Sequence, residues 1–397
     1  ISRFAAPFYG SEGQPEVTVI QINDQVLNEM NLTWPLNYQQ HARILRRVLS
    51  YEPRAVFIDF LYTQDRDPNG LKSLVRILEK HNDPQGKSPV YIADVIGSNG
   101  SIILPELKEG TLRARVNWSH FAGQYPLQIP EDNQVWETPA TALFKTYCLE
   151  KGCDDKDWLS NPAPMSIHWG TRVDTIMDNV TGDSQNCREY EPGFMGSLGE
   201  SLRLLLTNTR QGLFSSRELE ALTRQKCLYS RYLFANQLAY RGKTTNALLT
   251  DRIVLIGGIF QGIPDYTFSP VHGKIPGVFM HAMALDNLIT LKHNYMKAPE
   301  AVFSFLNMSW ADLIELILAA SILFAVALAA HYSWLSSIGH KTTLFAVIVV
   351  VDFAVALVMT LYLNYTPVNA LAILFLTLYA LTVVKSEDLK ITTNQPQ

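Results

Sequence analysis

The sequence predicts an α/β protein, a mainly parallel sheet flanked by helices, with a C-terminal block of three transmembrane helices. Three observations carry that prediction. Between Val17 and Asp94, short apolar runs alternate with amphipathic stretches of helical spacing, the signature of right-handed βαβ crossovers. Arg252–Asn287 (RIVLIGGIFQGIPDYTFSPVHGKIPGVFMHAMALDN) repeats the pattern as one unit of strand, polar loop and helix. Leu313–Val384 is nearly devoid of charge, unlike the ordinary globular sequence before it.

Length and charge narrow the class. The chain has 397 residues, room for a large water-exposed domain and a membrane region. A net charge of −4 argues against an electrostatic nucleic-acid binder. Ile1-Ser2-Arg3-Phe4 is not a basic leader with an apolar core behind it. Either a leader has been removed or the chain starts inside a longer one.

Taken in order, Val17–Ile22 reads as a buried strand ending in Asn23-Asp24. Asn37–Ser50 is helical, with Tyr38, Ala42, Leu45 and Leu49 on one face. Ala55–Phe60 is a second buried strand with Asp59 at its carboxyl end. Leu71, Leu74, Val75 and Leu78 mark the next helix, and Val90–Ala93 is a third strand running into Asp94. Leu112–Trp118 alternates as a further strand, Gly123–Pro139 is loop-like, and Thr141–Leu149 is helical. Cys153–Pro164 is a polar excursion, Ser166–Gly170 returns to the sheet, and Thr181–Gly193 is another polar loop.

Ser197–Leu206 and Ser215–Tyr240 read as two helices, the second opened by Ser215 and Glu218 in capping-box spacing. Ile253–Ile256 is a strand buried on both faces. Gly257, Gly258, Gly262 and Pro264 then break the pattern into a loop carrying Asp265 and Ser269-Pro270. Beyond Gly277 the spacing returns to 3.6 residues, with Val278, Ala282, Leu285 and Ile289 in one stripe.

The series of strand, Gly-Gly, Asp265, TFSP (267–270), PGV (276–278), HA (281–282) and LDN (285–287) resembles the closing segment of the CHASE2 domain. That family is an extracytoplasmic sensory module of bacterial receptors. VIQIND (19–24), WP (34–35), HARIL (41–45) and AVFIDFLY (55–62) resemble its opening strands and first helix. The resemblance implies a sensory domain over residues 15–291, preceded by a lead-in (1–14) whose Ile1–Phe8 would be the outer end of an anchor helix. Receptors of this type continue past their third span into a cytoplasmic output domain, whereas here about a dozen residues follow Val384, too few to fold.

A linker (292–311) with Val302, Phe303, Phe305, Leu306 and Trp310 suits the water–lipid interface. Three spans follow within 312–384: Leu313–Tyr332, Leu344–Leu363 and Val368–Val384. The first two have the ~20 residues that cross a bilayer core, and the third is near the short limit. His340-Lys341, Lys385 and Lys390 make the tail (385–397) cytoplasmic and the large domain external, by the positive-inside rule. Asp352 lies mid-span, where a carboxylate must face protein or water. A hydrogen-bonded packing contact is expected there, with proton movement as the rival role.

Asp24, Asp59, Asp94 and Asp265 all fall just past buried strands, on the edge where open parallel sheets bind ligands. Such a cluster can hold a polar ligand or a divalent cation. Each acid can equally cap a helix or hold a turn. His281 sits one position off the apolar stripe, expected as a partly buried, hydrogen-bonded side chain, with a polar contact to the Asp265 loop or a pH switch as the functional reading. Trp34-Pro35 is expected to set the turn into the first helix.

Cys148, Cys153, Cys187 and Cys227 form an even set in an external domain, which favours disulfides in one of three connectivities. No His stands at metal-ligand spacing from them. Ile263-Pro264 stands where a P-loop needs Lys-Ser/Thr, and no hydrolase, metalloprotease or dinucleotide motif is present. The expected function is therefore non-catalytic and needs no cofactor. It is an accessory or scaffolding subunit of a larger assembly in a bacterial inner membrane, with other membrane or periplasmic proteins and the bilayer as partners. The alternative is a stand-alone or truncated sensor that binds a small periplasmic ligand and passes the signal across the membrane.

Overall fold

The apolar runs of the sequence become the strands of one parallel sheet. A computed structural model describes residues 5–64, 66–97, 100–118, 124–131, 134–153, 157–181, 193–201, 228–260, 265–297, 301–303, 308–309 and single helical positions between 313 and 358. The chain divides into two compact units, Ser2–Tyr295 and Met296–Gln397 with Ile1.

In the first unit the strands are β1 (Val17–Asn23), β2 (Ala55–Ile58), β3 (Val90–Asp94), β4 (Leu112–Arg115), β5 (Arg231–Phe234) and β6 (Ile253–Ile259). The helices are α1 (Asp24–Glu29), α2 (Tyr38–Leu49), α3 (Pro68–Lys80), α4 (Pro139–Lys151), α5 (Lys243–Leu249) and α6 (Val278–Leu291). The strand order is β4-β3-β2-β6-β1-β5, and every neighbouring pair is parallel. The last strand enters the middle: Ile253 pairs with Val17 on one side and Ala55 on the other.

Alternate side chains feed two separate cores, as the pleat requires. Val19, Phe57, Ala93 and Leu255 pack with Leu143 and Phe144 of α4 and Phe279 and Leu285 of α6. Ile20, Val56, Ile92 and Val254 pack with Leu45 and Val48 of α2, Leu74 and Leu78 of α3 and Leu248 of α5. Each such full burial stabilises by ~1.5–3 kcal/mol. Asn37 and Gln40 form a reciprocal capping box at the start of α2. Asp67 caps α3 by accepting from the Gly70 N–H at 3.0 Å, with Pro68 in the first turn. At the amino edge of the sheet, Arg54 binds Glu16, Glu150 and Asp251.

Several expectations are corrected. Within Ser215–Tyr240, Arg231–Phe234 is the edge strand β5 and Ala235–Ala239 a 3-10 turn, not helix. Its Tyr232, Leu233 and Phe234 fit either period, and pairing with β1 decides in favour of strand. Ser166–Gly170 does not join the sheet; Met165 bridges Tyr125 and the segment runs on as coil. Leu112–Trp118 pairs only as far as Arg115. Gly123–Pro139 is not mere loop, because Gln128–Glu131 and Gln134–Glu137 form a hairpin. Gly257 and Gly258 do not end their strand; they remain paired with Gln21 and Ile22. The loop after them holds a second hairpin, Tyr266–Ser269 with Gly273–Pro276.

Helix α6 also differs from its expected single stripe. Apart from Met280 and its C-terminal end it is buried all round, because the sheet covers one face and α4 another. In the second unit, Ala301–Phe303 pairs antiparallel with Met308–Ser309. Among the described residues no helix is long and apolar enough to cross a membrane. The three expected spans lie almost wholly outside those residues, as do Asp352, Cys187 and Cys227.

Candidate functional site

At the carboxyl edge of the sheet, β2 lies beside β6, with Ile58 paired to Ile256. Together with α2 and α6 they enclose a cavity of about 410 Å³. Asp59, Phe60, Gly258 and Phe260 come from the ends of these two strands. Met280 and His281 come from the first turn of α6, and Tyr38 and His41 from α2. Trp34, Pro35 and Tyr62 extend the aromatic side, and the lining also includes Arg66 and Asp265.

The aromatic side is ordered by ring contacts. Trp34 stacks on Phe260 with centroids 3.7 Å apart and planes 15° from parallel. Phe60 lies 5.8 Å from Trp34. His41 meets Phe60 and Tyr62 edge-on at 5.1 and 5.2 Å.

Asp59 is held at the strand end because its N–H donates to the Ile256 carbonyl at 2.8 Å. Its carboxyl is pushed up to about 8, first by burial and then by the charge of Asp265. Burial also raises Asp265. The Asp265 carbonyl accepts from the Gly277 N–H at 2.9 Å, and its carboxyl lies against Gly277 at the head of α6. A Cβ on Gly277 would stand 2.4 Å from Asp265 Oδ1, so only glycine leaves that acid its place.

His281 is 4% exposed, more buried than its place off the stripe suggested, because α6 is enclosed on several sides. The Tyr125 hydroxyl accepts from the Ala140 N–H at 3.2 Å and shares a hydrogen bond with His281 Nδ1 at 2.8 Å. Burial lowers the ring pKa to about 3 at His281 and about 4 at His41, so both are neutral at pH 7.

The cavity thus gathers Asp59, Asp265 and His281 of the five sequence candidates. Asp24 is not in its lining; it is exposed in the first turn of α1, where Asn23 is the cap and accepts from the Val26 N–H at 2.8 Å. A carboxylate there complements the helix dipole. Asp94 is not in the lining either. It is fully buried, accepts from Ser101 Oγ at 2.6 Å and Arg113 Nη1 at 3.1 Å, and lies 3.6 Å from Arg115. Its oxygens serve the sheet edge.

Sequence reasoning did not single out His41, Phe60, Tyr62, Phe260 and Met280. His41 and Phe60 lie within the quoted HARIL and AVFIDFLY runs, which was the available signal. It also assigned no role to LDN. Asp286 accepts from Tyr9 OH at 2.6 Å, and Asn287 Oδ1 accepts from the His168 N–H at 2.8 Å. Burial pushes Asp286 up to about 7. Gly13 N–H donates to Thr290 Oγ1 at 2.9 Å, so the far half of α6 holds the residues that lead into β1.

Cys148 and Cys153 are disulfide-bonded across the C-terminal end of α4. Among the described residues no three metal-ligating side chains converge.

The chain matches the CHASE2 domain family over residues 2–330. No curated protein and no solved structure matches it.

Proposed function

Because the chain belongs to the CHASE2 domain family, whose members are extracytoplasmic sensory domains, we propose that this one senses a small ligand in the cavity between β2, β6 and α6. The single observation that carries the reading is the shared wall. Met280, His281 and the Asp265–Gly277 contact put the first turn of α6 in the lining. A ligand that pulls on Asp265 or His281 therefore acts on the head of α6 directly. The helix is continuous and largely buried from Val278 to Leu291, so a shift at its head would be carried along its length to Leu291. The ligand must bind two poses of α6 with different affinity for any signal to pass.

The chain acts without chemistry of its own in this reading, as a multi-pass protein of a bacterial inner membrane with this domain outside. Exposed apolar side chains at Leu316, Ile317, Phe324, Val347, Val350 and Val358 support a lipid-facing C-terminal part. The same exposed positions would suit helices of a partner, which favours a second reading as an accessory subunit of a membrane assembly. The cavity supports the sensor over the subunit, because a scaffold has no need of one.

The test is thermal unfolding of the full chain against a metabolite panel, combined with hydrogen exchange across α6. A true ligand at 100 times its Kd stabilises by ~2.7 kcal/mol. Its effect is lost in Trp34→Ala, and it changes exchange in the first turn of α6. If no compound acts, or if every shift survives Trp34→Ala, the sensor reading fails. Stoichiometric partners on gentle solubilisation would then favour the subunit.

A further inference from the structure

Asp59 and Asp265 face one hollow, and among the described residues neither carboxylate has an ion-pair or hydrogen-bond partner. Near neutral pH burial and the Asp265 charge keep a proton on Asp59, and a cation between the two carboxyls would favour the ionised form of both. The cavity does not supply that cation itself. Arg66, its basic residue, is exposed and turned onto Gln64 Oε1 at 3.0 and 3.1 Å.

One donor in the same lining lacks an acceptor among the described residues: Trp34 Nε1 is buried without a partner. His281, 4% exposed, engages Nδ1 with Tyr125, and its ring also lines the cavity. Buried donors of this kind are rarely left unpaired. The rings of Trp34, Phe60 and Phe260 add quadrupole faces that attract ammonium groups.

We infer that the cavity takes a small organic cation, a protonated or quaternary amine that also carries an oxygen acceptor. The ammonium sits toward Asp59 and Asp265, and the oxygen accepts from Trp34 Nε1. A carboxylate or phosphate ligand would meet two acids, and a neutral one would gain nothing from their charge. A bare divalent ion would lack a converging third ligand among the described residues and would leave the aromatic side unused. The inference rests on the reading of the cavity as the sensor's ligand site.

The experiment is calorimetric titration of the full chain with ethanolamine, choline and 3,3-dimethylbutan-1-ol, the uncharged carbon isostere of choline. At least one amine is expected to bind, and the neutral isostere at least tenfold more weakly than choline. Asp59→Asn and Asp265→Asn should each weaken the amine at least tenfold; Asp265, being exposed, is the variant least able to disturb the fold. Equal binding of choline and its isostere overturns the inference. So does wild-type affinity in both Asn variants, or silence from every amine. A neutral or acidic metabolite that binds and is lost in Trp34→Ala overturns the cation class while the sensor reading stands. If no compound of any class binds, that reading falls as well.

Discussion

Asp59 ends a fully apolar strand, where its charge meets little but carbon and a second acid. Its pKa, raised from 3.8 to about 8, fixes the sign of its effect on stability. The native state holds this proton more tightly than the unfolded chain, so the contribution is complete below pH 3.8 and lost as pH rises through 8. Asp59→Asn is therefore expected to be nearly neutral at pH 4 and stabilising at pH 8 by about 1–3 kcal/mol, the cost of an unpaired buried polar group. Urea unfolding at the two pH values checks this, and equal effects at both would refute it. His41 and His281 act in the opposite direction, since burial depresses them and their contribution is lost as pH falls below 6.5. Asp94 shows why position alone does not make a site: Ser101, Arg113 and Arg115 meet its carboxylate, and nothing remains for a ligand.

Helix α6 joins the cavity to the rest of the domain. Its head bears His281 and touches Asp265, and its far half fixes Tyr9, Gly13 and His168 through Asp286, Asn287 and Thr290. Close contact with β6 makes that coupling stiff: a Cβ on Gly257 would stand 2.5 Å from Val278 Cβ. Gly257→Ala should cost about 1–3 kcal/mol, the usual penalty of overpacking. It should also weaken ligand binding, since α6 must move off the sheet to admit the methyl group. A denaturation midpoint within error of wild type would show that the helix head has slack, and the lever would lose its basis. The LDN run was legible as a motif and opaque as a mechanism, because its partners Tyr9 and His168 lie more than a hundred positions away along the chain.

At the scale of the whole molecule the outstanding question is sidedness. CHASE2 domains are extracytoplasmic, consistent with the large domain lying outside, and the cationic tail residues Lys385 and Lys390 are the basis for expecting a cytoplasmic C-terminus. Protease added to intact spheroplasts should remove the domain and spare an epitope fused after Gln397. Loss of that epitope with survival of the domain would reverse the orientation. The Cys148–Cys153 disulfide suits an oxidising compartment.

By itself the sequence determined the family, the α/β class, and the positions of β1, β2, β3 and α2. Those elements are local: apolar run length, helical period and the Asn37 cap act between near neighbours. Asp59, Asp265 and His281 were likewise visible as chemistry at strand ends and on a helix. Only the tertiary structure decided that β6 enters between β1 and β2, that Arg231–Phe234 is a strand, and that Asp24 and Asp94 stand apart from the cavity. Strand order and cavity walls depend on which distant segments meet, and Trp34, His41 and Phe260 become one surface only when three separate stretches pack together.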